Sequence, residues 1–252
     1  MKPWEAVSLI LKEMTQMVAP GVRTLDIDIM AEKRIKEIGY HSYTKGYKPE
    51  WSKTPWEFVS CIGVNSVIAH GKPGEYILKE GDLVSFDLGI CDDEHNCGDA
   101  ALTVGVGEIS NANQRLLYYT KQTLYEAISH IKAGLNTEDL AKIIEYHAMS
   151  RGYLVNRRFG GHAIGKEMHM SPKINNTVED DIKWEELKAG QILCIEPMMT
   201  SGKDNLGGTD PNGWTFWTHD GKPSVVFEHM VEVQENGAKI LTDHFTYTPG
   251  QP

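Results

Sequence analysis

No stretch of this 252-residue chain is long and apolar enough to span a bilayer, which excludes a helical membrane protein. Nor does the N-terminal segment read as a secretory leader, because Glu5, Lys12 and Glu13 interrupt any apolar run. Basic clusters are missing as well. Lysine and arginine are scattered singly or in pairs such as Arg157-Arg158, and the net charge is −10. A chain of that charge repels nucleic acid and anionic membrane surfaces, so neither is expected as a partner. Cysteine is scarce. Cys61, Cys91, Cys97 and Cys194 show neither a disulfide framework nor a zinc-knuckle spacing, and the 91/97 interval is not a C-x-x-C pair. They read as small buried thiols of a reduced, cytoplasmic protein. No linker rich in Pro, Gly or Ser divides the chain, so residues 1–252 read as one compact domain.

What the chain does contain is an internal repeat. Residues 19–40, APGVRTLDIDIMAEKRIKEIGY, superpose without gaps on residues 132–153, KAGLNTEDLAKIIEYHAMSRGY. Gly21 then matches Gly134, Thr24 matches Thr137, Asp26 matches Asp139, and Gly39-Tyr40 matches Gly152-Tyr153. Each piece reads as a Gly turn, a Thr N-cap, an amphipathic helix and a Gly stop. A second pair, LKEGDLVSFDL (78–88) and LKAGQILCIEP (187–197), sets Asp87 opposite Glu196. A third sets His70-Gly-Lys-Pro73 opposite His169-Met-Ser-Pro172. The closing strands carry Asp99, before Leu102-Thr-Val-Gly-Val, and Glu228, before Met230-Val-Glu-Val. Two βαβ-like halves, roughly 4–110 and 111–245, are expected to share a sheet core across a pseudo-two-fold axis. Helices are expected at 4–18, 24–38, 113–132 and 137–150.

The acids carry the chemistry. Asp87 and Glu196 lie in short apolar runs that read as buried strands. A buried carboxylate costs several kcal/mol or more unless a cation or hydrogen bonds compensate it. The two-fold axis brings these acids together, where they repel unless metal lies between them. With Asp99, Glu228 and His162 the set is four carboxylates and an imidazole, suited to a pair of divalent ions such as Mn, Fe, Co or Zn. Such a pair can share a bridging hydroxide as nucleophile and polarise a carbonyl. Taken singly, each residue has a plainer reading: a turn Asp at 99, a solvated face Glu at 228, a hydrogen-bonded core His at 162. The joint pattern points to metal.

At Gly160-Gly161-His162-Ala163-Ile164-Gly165 and His169, the chain resembles the type I methionine aminopeptidases. The likeness continues through Cys194-Ile195-Glu196-Pro197-Met198, Gly213-Trp214-Thr215 and Val226-Phe227-Glu228-His229, and earlier through residues 65–71, 81–87 and Gly98-Asp99. The resemblance implies the pita-bread fold, an α+β architecture of two pseudo-two-fold-related halves around a shared antiparallel-rich sheet. It implies removal of the initiator methionine from peptides and nascent chains, by attack of a metal-bridging hydroxide on the first peptide bond. Asp87 would chelate the first metal, Asp99 and Glu228 would bridge, and His162 and Glu196 would complete the second. Glu196 would also help move a proton. His169 would hydrogen-bond the substrate carbonyl and oxyanion, and His70 would contact the scissile amide nitrogen. The methionine pocket would include Tyr43, Cys61, Met168 and Trp214, with Tyr40 and His41 nearby. A monomer with transient ribosome proximity fits this reading.

Two departures from the family pattern stand out. Met168 occupies a place where an aromatic residue is common. Residues 44–56, with two Trp and two Pro, intervene before Cys61, leaving Tyr47 or Trp51 as alternatives to Tyr40 and Tyr43. That segment reads either as a semi-rigid flap at the pocket mouth or as an exposed variable loop. Two rival functions remain: a proline-directed peptidase of the same fold, and a non-catalytic binding protein that keeps the fold without metal.

Overall fold

The computed structural model describes residues 1–180, 182–203 and 208–245; the last residues of the single domain expected over 1–252 lie outside these. Two helices come first in each half: α1 (Pro3–Gln16) and α2 (Thr24–Glu37), then α3 (Asn111–His130) and α4 (Thr137–Met149). The strands follow each helix pair, and all the strand pairs described are antiparallel. The βαβ-like expectation is therefore corrected. A βαβ unit needs a helix crossing over between parallel strands, whereas here hairpins connect neighbours.

The first half is built on the long hairpin Leu83–Cys91/Cys97–Gly105, flanked by Cys61–Val64 and His41–Ser42. The second half is a five-stranded sheet in the order Gly237–Ile240, His229–Gln234, Ile192–Ile195, Gly160–Ala163, Met170–Asn175. Smaller sheets close the edges. The Glu228 N–H donates to the Ala101 carbonyl at 2.9 Å and joins the two main sheets. The helices lie on the outside of the sheets with their apolar faces turned inward. Ile10, Leu11 and Met14 of α1, Phe86 and Leu88 of the hairpin, and Leu193 and Phe227 of the second half belong to one continuous buried cluster. Each such side chain contributes about 1.5–3 kcal/mol of burial.

The repeated segments make equivalent hydrogen bonds. Gly21 N–H donates to Leu78 O at 2.8 Å, and Gly134 N–H to Leu187 O at 2.8 Å. Leu78 N–H donates to Val22 O, and Leu187 N–H to Leu135 O, again at 2.8 Å each. Gly39 and Gly152 both end their helices with φ near the left-handed value, 77° and 78°, which a Cβ would oppose. The caps differ from expectation by one residue. Arg23 and Asn136 are the N-caps, while Thr24 and Thr137 are the first helical residues. The threonine hydroxyls bond across to Gly74 O and Glu185 N–H instead, at 3.0 Å each, tying the helix starts to the incoming loops.

Two cysteines differ from the thiol reading. Cys91 and Cys97 are Cα partners at the turn end of the long hairpin and form a disulfide. A six-residue separation has no signature in the sequence; only the register brings the two sulfurs together. Cys61 and Cys194 are free and buried, as expected.

Candidate active site

Asp87 and Asp99 sit on adjacent strands of one hairpin. Asp87 pairs with Ala101 and Gly89 pairs with Asp99, so the two acids are diagonal neighbours on one face. Gly89 keeps the space between them open: a Cβ there would lie 2.8 Å from Met168 Cε and 3.7 Å from Asp99 Oδ1. The second half repeats the diagonal. His162 pairs with Cys194, and Glu196 follows two residues later, just past its strand end. Asn176 Nδ2 fixes that bend by donating to Glu196 O at 3.1 Å. Glu228 enters from the junction of Ser224–Val226 and His229–Gln234.

These side chains converge. His162 Nε2 lies 3.6 Å from Asp99 Oδ2 and 3.8 Å from Glu196 Oε1. One potential ligand atom from each of Asp99, His162, Cys194 and Glu228 falls within 4.8 Å of the others. Asp99 Oδ1 and Glu228 Oε1 are buried without a hydrogen-bond partner. Burial, then the neighbouring carboxylates, push Asp87 and Glu228 well above the usual carboxylate range. Burial also raises Glu196 to about 7, against the opposing pull of His162. His162 loses to burial but gains more from Asp99 and Glu196, and its net shift is upward. Such crowded acids with orphaned oxygens are stable when a cation shares them. The donor set of carboxylates and one imidazole fits divalent ions of intermediate hardness. Cys194 stays a protonated thiol: burial first, then Glu228 and Asp99, hold it well above its usual value.

A cavity of about 660 Å³ opens onto this centre. It is lined by the eleven residues that the sequence offers as ligands, catalytic groups and pocket wall: Asp87, Asp99, His162, Glu196, Glu228, His70, His169, Tyr43, Cys61, Met168 and Trp214. His169 stands beside His162, ring centroids 4.4 Å apart, with Tyr43 at 5.8 Å on its other side. His70 lies across the cavity in a left-handed backbone conformation, φ 51°, an uncommon geometry for a residue with a Cβ. Thr215 Oγ1 holds the His70 carbonyl at 3.0 Å. Both imidazoles are held below their ordinary value. Burial takes His70 to about 4, and partial desolvation, with His162 second, lowers His169.

The pocket wall is made of Cys61, Trp56 and Trp214, packed together with Phe58. Trp214 Nε1 donates to Thr54 O at 2.8 Å. Residues 44–56 therefore form part of the wall: Tyr47, Trp51 and Trp56 all line the cavity. Tyr43 is there too, while Tyr40 and His41 are elsewhere. Tyr40 is buried with its hydroxyl donating to Met1 O at 2.8 Å, and His41 is an exposed strand residue. Phe159, Phe216, Arg158 and Lys173, which the sequence does not mark as site residues, also line the cavity. Phe159 and Arg158 adjoin the Gly160–His162 motif, which was the available signal.

Residues 5–235 match the model of metallopeptidase family M24. The chain belongs to family M24, among its methionine aminopeptidases. It is 36% identical to the methionine aminopeptidase of Aquifex aeolicus over 244 residues, 96% of this chain and 94% of that one. The crystal structure of the Thermotoga maritima methionine aminopeptidase superposes with a TM-score of 0.88 at 33% identity, covering 95% of this chain and 93% of that chain. The prolidase of Pyrococcus furiosus shares the fold, with a TM-score of 0.71 at 22% identity, 96% of this chain and 63% of that chain being covered. The pita-bread architecture and the hydrolase class of the family follow. A metallopeptidase family implies divalent metal, in keeping with the convergent donors.

Proposed function

We propose that this chain removes N-terminal methionine from peptides and nascent proteins with two divalent ions held by Asp87, Asp99, His162, Glu196 and Glu228. The observation that carries the reading is the meeting of donors from both halves, with buried oxygens of Asp99 and Glu228 unpartnered, at the floor of an aromatic and sulfur-lined cavity. Asp87 would hold the first ion, His162 and Glu196 would hold the second, and Asp99 and Glu228 would serve both. The ions would supply an activated water and polarise the scissile carbonyl.

The chain's own groups do the rest. The acidic centre is buried in the cavity wall, and a peptide that enters by its free amine brings that amine to it. Tyr43, Cys61, Met168, Trp56 and Trp214 receive an unbranched thioether, which suits aromatic faces and soft sulfur. His169, beside His162, donates to the substrate carbonyl and to the oxygen as it gains charge. His70, on the opposite wall, contacts the departing amide nitrogen. Both act as neutral imidazoles near neutral pH, because burial disfavours their charged forms. Glu196, raised to about 7, accepts and returns a proton. The same reading takes the protein as a cytoplasmic monomer working close to the ribosome, and its matched hydrogen bonds as the mark of a duplicated unit within one domain.

The test uses metal-loaded protein on Met-Ala-Ser, Pro-Ala-Ser and acetyl-Met-Ala-Ser, repeated with Asp99→Ala. Free methionine from the first peptide alone, lost in the variant, is the expected result. Absence of cleavage with Mn, Fe, Co and Zn would favour the non-catalytic binding protein; cleavage of the proline peptide would keep the chemistry and overturn the pocket.

A further inference from the structure

The cavity wall carries a cation that the reaction above leaves unused. Asn156 is buried, and its Oδ1 accepts the backbone N–H groups of Arg158 at 2.9 Å and Phe159 at 3.1 Å. This turn is bonded to the metal centre through Asn176, whose Nδ2 donates to Phe159 O at 3.2 Å and Glu196 O at 3.1 Å. From it, Arg158 reaches over the Phe216 ring with its guanidinium carbon 5.0 Å from the centroid. Phe216 packs on Phe159 at 4.9 Å and on His70 at 6.0 Å. The guanidinium is thus oriented on the His70 side of the cavity by a cation–π contact.

Its charge is not spent there. Adjacent Arg157 pairs with Glu179 at 3.6 Å, but among the described residues no carboxylate pairs with Arg158. In a chain of net charge −10, an exposed arginine lining an acidic cavity, with no acid paired to it among the described residues, is against the local trend. A guanidinium presents a planar fork of donors matched to a carboxylate.

We propose that Arg158 is a specificity-determining residue that binds a carboxylate of the substrate on the far side of the scissile bond. This rests on the aminopeptidase reading, in which His70 marks the side where the second residue leaves. From His70 the path crosses Phe216 in steps of 6.0 Å and 5.0 Å, which an extended chain spans in about three residues. The carboxylate is then either the C-terminus of a tripeptide or an acidic side chain near position three or four of a longer chain.

The test needs binding as well as turnover. Metal-free protein is titrated with Met-Ala-Ser, its C-terminal amide, and Met-Ala-Asp amide, following the fluorescence of the cavity tryptophans. Kinetics with the metal-loaded protein run alongside. The free acid, the Asp peptide, or both are expected to bind about threefold to fivefold more tightly than the neutral amide, as for an exposed ion pair. That preference should collapse in Arg158→Gln, return in part in Arg158→Lys, shrink in 0.5 M salt, and show in KM rather than kcat. A gain for the terminal carboxylate alone assigns the site to short peptides, and a gain for Asp alone assigns it to longer acidic chains. Equal affinity for all three peptides, a preference unchanged in Arg158→Gln, or no measurable binding of any peptide would overturn the proposal. Loss of turnover on every methionine peptide with the affinity preference intact would instead sink the aminopeptidase reading.

Discussion

Trp51 lies nearly parallel on His70, ring centroids 5.8 Å apart and planes inclined by 17°. Its indole also meets Trp214 edge-on at 4.9 Å, so one half-exposed side chain covers both the imidazole and the pocket wall. Burial is what holds His70 at about 4. Trp51→Ala uncovers the ring, and its pKa is expected to move up toward the ordinary 6.5. NMR titration of the His70 ring checks the shift. The acid limb of kcat/KM should move the same way, because the neutral ring is then lost at a higher pH.

Removing a donor from the acidic floor should act on metal before it acts on fold. Asp99→Asn and Glu228→Gln are each expected to lower kcat/KM by about 10²–10³ or more. Metal content by elemental analysis should fall with activity, while the far-UV circular dichroism is unchanged. Loss of activity with full metal content would remove the bridging role of the residue replaced.

The metal-free protein should be least stable where the folded acids are forced to ionise. Asp87, Glu196 and Glu228 are all raised above the unfolded carboxylate value of about 4. Their contribution is complete below that value and is lost as pH rises through the folded pKa, about 7 for Glu196. The Tm of metal-free protein is expected to fall from pH 5.5 to pH 8. Added Mn or Co should raise it more at pH 8 than at pH 5.5. Calorimetry at both pH values with and without metal checks the sign.

A similar argument applies to Asp28, away from the centre. It is 4% exposed, burial raises its pKa, and its Oδ1 accepts from Ser60 N–H at 3.0 Å and Ser60 Oγ at 2.7 Å. Asparagine keeps that acceptor without the charge. Asp28→Asn should raise the Tm at pH 8, with a gain that narrows as pH falls and the native acid takes up its proton.

The Cys91–Cys97 bridge closes a short loop, worth about 2 kcal/mol by chain entropy. Cys91→Ser/Cys97→Ser is expected to lower stability by about that amount and to leave metal uptake intact. Denaturant unfolding and metal analysis of the same sample check both parts.

The convergence of Asp87, Asp99, His162, Glu196 and Glu228 is legible in the sequence because duplication repeats an acid at one place in each half, and buried acids need a cation. The helices follow from capping and periodicity, although Arg23 and Asn136 take the caps that Thr24 and Thr137 promised. The wall is harder. Trp51 and Trp56 lie in a segment with no counterpart in the other half, and aromatic residues in an irregular loop have no period to say which way they face. Tyr40 looks like a pocket residue until its hydroxyl is seen bonded to Met1 O. The disulfide depends on strand register, which spacing alone does not give. Arg158 was hidden because a single arginine acquires meaning only from what does not pair with it.

The bridge has a mechanical consequence for the hairpin tip. Asp92 Oδ1 gathers the N–H groups of Glu94 and Asn96, and the disulfide clamps the ladder immediately behind this turn. The clamp pins the register of the two strands that carry Asp87 and Asp99 at the end nearest the turn. The tip still has one line to the cavity that the clamp does not cut: Lys166 Nζ donates to Glu94 O at 2.8 Å, so a graft at 93–95 would speak to the loop of Met168 and His169 rather than to the strands.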